Sequence, residues 1–522
     1  MQPGLWLHEG ERMFEAAELG RKASSEDYKA QVPALREDLL EVQRVLRENP
    51  RSSVIILFGG VDGAGKSETV NLLNEWMDPR WLLTRAYGPP SEEESERPDY
   101  WRFWRDLPSK GRIGFFLSAW YSRPLVDRVH RRSSGGKFGA QLDEIIEFER
   151  GLTDNGALIL KFWMHLDKRS QKARLKKLEK DPLTRWRGTR EQWRNFKLYE
   201  RFIDAGEEMI TRTSLLNAPW TIVEGGDDRY RSLTIATHIR DAIRKRLAAP
   251  PAVVKPESTD AIPARRPGVT ASAKARRTVR AAQPTILSKL DMTQRVDAKR
   301  YKEKLERLQG RINALLRKAQ RRGVSVILVF EGWDAAGKGG AIRRLTAAID
   351  ARAYQVIPIA APTDEERAQH YLWRFWRHLA RRGRLTIFDR SWYGRVLVER
   401  VEGFASEQEW MRAYAEINQF ESQLVAHGIV LIKYWMHITK EEQLERFRGR
   451  EKAAYKRWKL TDEDWRNRKQ WDAYQQAVND MVEGTSTRQA PWTLVEANDK
   501  NFARLKVLST VCDRLAEDLD AR

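Results

Sequence analysis

The residues best suited to chemistry are Gly332-Trp-Asp-Ala-Ala-Gly337-Lys338, which have the GxxxxGK spacing of a phosphate-binding loop. Glycines at those places let backbone N–H groups converge on phosphate oxygens, and the lysine adds a point charge. Gly339 stands where such loops usually carry a Ser or Thr for magnesium. A metal would then need other hard oxygens, and Asp334 inside the loop and Asp389 farther on are the candidates. Arg390, next in sequence, is placed to neutralise charge on a phosphoryl group in transfer. The competing roles are a helix N-cap for Asp389 and a surface ion pair for Arg390.

A loop has this function only at a strand-to-helix turn, so the flanking elements matter. Ser325 to Phe330 (SVILVF) is a continuous apolar strand directly before the loop, and Arg300 to Arg322 repeats Leu and Ile at helical spacing before that. Further strands are expected at Gln355 to Ile359, Arg384 to Phe388, Ile429 to Trp435 and Trp492 to Val495. Apolar strands alternating with helices imply an α/β fold with a parallel sheet covered on both faces. Ligands of such sheets bind beyond the carboxyl ends of the strands, where the loop and Asp389 fall. The run Arg446, Arg448, Arg450, Lys452, Lys456, Arg457 and Lys459 is a basic helical stretch. It reads either as a lid that closes over phosphates or as a solvated face.

The whole arrangement occurs twice. Gly60 to Lys66 repeats the loop spacing, with Asp62, Gly65 and Lys66 at the matching places and Ser67 after the lysine. Ser53 to Phe58 matches Ser325 to Phe330, Trp101 to Trp104 matches Trp373 to Trp376, and Trp163-Met164-His165 matches Trp435-Met436-His437. Each pair stands 272 positions apart, as Lys66 and Lys338 do, so the copies align without net insertion and each is one folding unit. The expected organisation is two tandem P-loop kinase-like domains, 1–247 and 289–522, each a parallel sheet flanked by helices with a helical lid. Residues 248–288, rich in Pro, Ala, Ser and Thr with interspersed Arg and Lys, read as a flexible basic linker.

The copies are not equivalent. Leu117, Ser118 and Ala119 stand opposite Asp389, Arg390 and Ser391. The first copy keeps Asp62 and Lys66, so phosphate binding could persist there, but it lacks the strand-end acid and arginine. A catalytically weak domain that scaffolds or holds substrate is expected.

A net charge of +21, from 94 Lys plus Arg against 73 Asp plus Glu, gathers polyanions: nucleic acid, acidic membrane or a phosphate-rich substrate. The one cysteine, Cys512, excludes an intrachain disulfide, and no Cys/His spacing suggests zinc. No apolar run is long enough to span a bilayer and Met1 to Arg12 lacks a signal-peptide pattern, so a cytoplasmic location is the expectation. Trp373, Trp376, Trp392, Trp435 and Trp492 read as core. His370, His378 and His437 read as packing or surface residues.

Taken together these motifs resemble the polyphosphate kinase 2 family, in particular its two-domain class that phosphorylates AMP. In the second copy the family's loop stands as Glu331-Gly-Trp-Asp-Ala-Ala-Gly-Lys338 and its strand-end motif as Asp389-Arg-Ser-Trp-Tyr-Gly-Arg395. Pro362-Thr-Asp-Glu-Glu366, Tyr371-Leu-Trp-Arg-Phe-Trp376 and Arg446 to Lys459 are also similar to the family's segments. The resemblance implies that Asp334, Lys338, Asp389 and Arg390 are catalytic and that Mg2+ is required, for which the residues themselves offer Asp334 and Asp389. It further implies that Arg395 and the lid residues Arg446, Arg450, Lys456 and Lys459 face phosphate, beside Gly332, Gly337, Lys338 and Gly339 of the loop. The substrates it implies are inorganic polyphosphate and AMP, which would account for the charge without nucleic acid or membrane; association into a homo-oligomer stays open. The alternatives are an ATP-dependent kinase of a small metabolite, a nucleic-acid-binding NTPase, and a purely structural duplicate.

Overall fold

A computed structural model of the chain describes residues 13–180, 190–249, 285–452 and 462–522. The expected linker falls almost wholly outside them, as do Lys456, Arg457 and Lys459 of the basic stretch. Of the described residues, 13–95, 99–180, 190–249 and 362–377 form one compact unit; 96–98, 285–361, 378–452 and 462–522 form the other.

Each unit is built on a five-stranded sheet, parallel throughout. In the first, β1 (Val54–Gly60), β2 (Leu82–Ala86), β3 (Ile113–Leu117), β4 (Leu158–His165) and β5 (Trp220–Glu224) lie in the order β2-β3-β1-β4-β5. In the second, β6 (Val326–Gly332), β7 (Tyr354–Pro358), β8 (Leu385–Asp389), β9 (Val430–His437) and β10 (Trp492–Glu496) repeat that order as β7-β8-β6-β9-β10. The strands read from sequence are found within two residues at either end, and the helix expected at 300–322 spans Ala298–Arg321. β9 is buried at all eight positions and β6 at its first six, which is why both read as unbroken apolar runs. Trp373, Trp376, Trp392, Trp435 and Trp492 are all buried, as is Cys512. No helix among the described residues is long and apolar enough to cross a membrane.

The interior of each unit also holds a charge. Lys433, on β9, is wholly buried and its Nζ donates to Glu421 Oε2 at 2.7 Å, Tyr393 OH at 2.8 Å and Thr485 O at 2.8 Å. Glu421 Oε1 in turn accepts from Trp392 Nε1 at 3.0 Å and Tyr393 OH at 2.6 Å. The network therefore bolts the turn after β8 to the strand two places away and to the helix Glu407–Ala426. Lys161, Glu149, Tyr121, Trp120 and Thr213 repeat it in the first unit. Such a pair contributes little net stability when whole, but half of it is a buried unpaired charge. Lys433→Met is expected to destabilise the second unit by about 3–5 kcal/mol, whereas Lys433→Met with Glu421→Leu recovers most of the loss. Urea denaturation of the three chains measures both.

Candidate active site

The second loop joins the end of β6 to the helix Lys338–Thr346, and its backbone departs from ordinary helix and strand. Gly332 has φ +151°, and a methyl group there would come within 2.5 Å of Met436 O, so the loop can cross the end of β9 only without a side chain. Gly337 caps the helix in the left-handed region, φ +103°, at the helix's positive end, and within the first turn the Gly340 N–H donates to Gly337 O at 3.0 Å. Over Gly337 the nearest atom to an added methyl is Met436 Cε at 4.0 Å, and over Gly339 there is none within 4 Å. Lys338 Nζ donates to Gly332 O at 2.6 Å and Trp333 O at 3.3 Å, bracing the loop from inside. Burial and the neighbouring Arg390 push its pKa down, against Asp334, Asp389 and Glu331.

Asp389 is the last residue of β8 and pairs across the ladder with Phe330 of β6. The N-cap of the following short helix Trp392–Arg395 is Ser391, whose Oγ accepts from Tyr393 N at 3.3 Å. The capping role considered for Asp389 is thus filled by another residue. Arg390 has φ +66°, which turns its side chain back over the loop, and its Nη2 lies 3.1 Å from Asp334 Oδ1. Its side chain is 45% exposed; partial desolvation at the cleft would lower its pKa, but Asp334, Glu331, Glu463 and Asp389 together raise it, so it stays a cation. Asn467 Nδ2 holds the other oxygen, Asp334 Oδ2, at 2.9 Å.

Asp334, Gly337, Lys338, Asp389 and Arg390 line one cleft of about 600 Å³. Among its walls are Trp333 to Gly340, Asp389, Arg390, Arg446 and Arg450, joined by Arg343, Lys500 and Arg504. A smaller cavity of about 290 Å³, lined by Asn313, Arg317, Val326 and Leu385, lies at the opposite, amino-terminal end of the strands. Arg446 is buried and spends its guanidinium on Ala335 O (2.8 Å), Ala497 O (2.6 Å) and Asn498 O (2.9 Å), so it holds the loop's backbone. Arg395 is not brought to the cleft: it pairs with Glu399 at 3.1 Å and approaches Glu409 at 4.0 Å. Glu399 lies four residues on, in the next short helix Val398–Val401.

Several groups were not singled out by sequence. Glu331, buried at the end of β6, accepts from Ser391 Oγ at 2.7 Å, and burial raises its pKa. The partners stand opposite Gly59 and Ala119 of the first copy, a joint difference that the offset alignment could have signalled. Arg343, Lys500 and Arg504 stand opposite Asn71, Asp228 and Ser232, but they come together only through folding.

Among the described residues no group of three or more His, Cys, Asp or Glu side chains converges as a metal cage. Asp334 and Asp389 both line the cleft. Two carboxylates beside a phosphate cradle suit magnesium, which typically takes one or two carboxylates and completes its shell with substrate phosphate and water.

Behind the loop, Trp333 stacks on Trp471, ring centroids 3.7 Å apart, and donates through Nε1 to His437 Nδ1 at 3.2 Å. Trp435 Nε1 reaches the same nitrogen at 3.4 Å. His437 is held neutral, its pKa lowered to about 4 by burial against a smaller opposing pull from Glu496.

The family model described as Polyphosphate kinase 2 (PPK2) matches residues 22–250 and again 295–522. The chain is 50% identical over 503 residues to a polyphosphate:AMP phosphotransferase of Pseudomonas aeruginosa, covering 96% of this chain and 98% of that one. It is 37% identical over 489 residues to one from Acinetobacter johnsonii, covering 92% and 96%. A crystal structure of a polyphosphate kinase 2 from Pseudomonas aeruginosa superposes with TM-score 0.86 at 48% identity, covering 98% of this chain and 100% of that one.

A histidine whose folded pKa is depressed leaves the folded state with fewer protons than the unfolded one between pH 4 and 6.5, so its stability contribution is complete above about 6.5 and lost as pH falls toward 4. Between pH 7.5 and pH 5 this amounts to about 2 kcal/mol. Denaturant titrations at the two pH values should show a drop of that size in the second unit, and the drop should shrink in His437→Asn.

Proposed function

The chain belongs to the polyphosphate kinase 2 family, and we propose that its second loop, Gly332 to Lys338, is where the phosphoryl group changes hands. The reaction moves the terminal phosphoryl group of inorganic polyphosphate to AMP, giving ADP and a donor one unit shorter. One observation carries the assignment to the second copy: Arg390 and Asp389 lie beside an open loop there, with Arg390 3.1 Å from Asp334.

In this reading the loop N–H groups, the helix N-terminus and Lys338 hold the donor's terminal phosphate. An ionised phosphate oxygen of AMP attacks that phosphorus in line; one P–O bond forms as the anhydride bond breaks, and the shortened polyphosphate leaves with the electron pair. The attacking oxygen carries no proton at neutral pH, so no general base is called for, in keeping with a cleft whose nearby histidine, His437, is bonded behind the loop. Arg390 shifts from Asp334 toward the equatorial oxygens as charge spreads over them. Asp334 and Asp389 are the residues that would hold magnesium, which when bound neutralises phosphate charge and polarises the P–O bonds. Asn467 and Arg446 fix Asp334 and the loop carbonyls. Arg343, Lys500 and Arg504 extend the cation wall along the donor chain.

The roles separate kinetically. Asp389→Asn is expected to lower kcat about 10²-fold or more and Arg390→Ala about 10³-fold, while Arg504→Ala raises KM for polyphosphate roughly tenfold with kcat little changed. ADP formation from AMP, magnesium and polyphosphate, resolved by anion-exchange chromatography, measures all three. Asp389→Asn turning over at the wild-type rate would remove that residue from the mechanism.

A further inference from the structure

The first loop has the same backbone as the second. Gly65 sits at φ +89°, and Lys66 Nζ donates to Gly60 O at 2.7 Å and Val61 O at 2.9 Å, as Lys338 does to its own loop. Asn195 holds Asp62 Oδ2 at 3.0 Å, as Asn467 holds Asp334. On these features alone the first loop would be a second phosphate site.

The space above it is different. A methyl group on Gly65 would lie 2.4 Å from the guanidinium carbon of Arg231, whereas Gly337 has nothing nearer than 4.0 Å. Arg231 comes from the first turn of the helix Asp228–Ala248 and is 4% exposed. Its Nε donates to Thr69 Oγ1 at 3.0 Å and its Nη1 to Gly225 O at 3.0 Å, while Nη2 stands 3.5 Å from Glu68. Glu68 in turn lies 2.5 Å from Arg174 Nη2.

The corresponding residues of the second copy explain how this arose. Arg231, Glu68 and Thr69 stand opposite Ala503, Gly340 and Ala341, all too small to fill a cradle. Arg174 stands opposite Arg446, and Gly225 opposite Ala497, whose carbonyl Arg446 takes in the second copy. In the first copy Arg231 takes that carbonyl instead, and Arg174 turns to Glu68. Glu68 lies in the first turn of the helix Lys66–Trp76, so its carboxylate sits at the helix's positive end, where a bound anion would be favoured. Swinging Arg231 aside for a phosphate would strip a buried guanidinium of Thr69 and Gly225 O and leave that carbonyl without its donor.

We propose that the first loop is filled by its own ion pair, Glu68 with Arg231 and Arg174, in place of a phosphate, so that the chain binds one polyphosphate donor and binds it at the second loop. The inference concerns a different loop from the one assigned above, and it stands whether or not Asp389 and Arg390 have the roles given them. Isothermal titration of the full chain with tripolyphosphate and magnesium, without AMP, reads it directly. The expected result is one site per chain, lost in Lys338→Ala. Glu68→Gln with Arg231→Ala removes the internal anion and the guanidinium over Gly65, leaving alanine where the second copy has Ala503, and a second site should then appear, raising the stoichiometry from one to two. Two sites in the wild-type chain, a site surviving in Lys338→Ala, or no added site in the folded double variant would each overturn the proposal.

Discussion

The cleft exists because β8 runs beside β6 in parallel, with Asp389 opposite Phe330. A parallel neighbour brings two carboxyl ends to the same edge of the sheet, so the loop leaving β6 and the turn leaving β8 emerge side by side. Arg390 then needs only a left-handed backbone to fold over the loop, and its φ of +66° supplies it. Ser118 at the same place in the first copy has φ +52°, so the strained turn belongs to the fold and the arginine on it belongs to the second copy alone.

The duplication acts as an internal control. Features shared by both units include the strand order, the lysine braced on loop carbonyls, the Asn-to-Asp bond behind the loop and the buried Lys–Glu network. These are what the fold requires whatever it binds. Features confined to the second unit are the strand-end acid and arginine, the Glu331–Ser391 bond and the cations Arg343, Lys500 and Arg504. All of these touch or buttress the cleft. Lys338 or the loop spacing alone therefore says less about activity than Asp389 and Arg390 do.

Much of this was legible in the sequence, for a physical reason. Strands buried on both faces must be apolar throughout, so β6 and β9 announce themselves, and the constant offset between copies carries every assignment from one to the other. Contacts between residues far apart in sequence were harder to read. Arg395 sits in a recognisable motif, yet it pairs with Glu399 of the next short helix. Asn467 reaches Asp334 from 133 positions away, and no periodicity reports such a bond. The competing N-cap role for Asp389 falls to Ser391, two residues on, which spacing alone does not distinguish.

The two copies also differ in a way that burial dictates. Lys433 and Glu421 are wholly enclosed, and changing either alone leaves an uncompensated charge, so the pair has to be kept or exchanged together. Lys161 and Glu149 persist as such a pair in a unit that lacks the strand-end chemistry. Cations on a cleft wall are under no such constraint, because water solvates what the ligand does not, and Asn71, Asp228 and Ser232 stand where the other unit has Arg343, Lys500 and Arg504. The first loop falls between these cases. Arg231 there is buried and bonded to Thr69 and Gly225 O, and Glu68, in the first turn of the helix Lys66–Trp76, pairs with it and with Arg174, so charge at that helix end is met from within the chain.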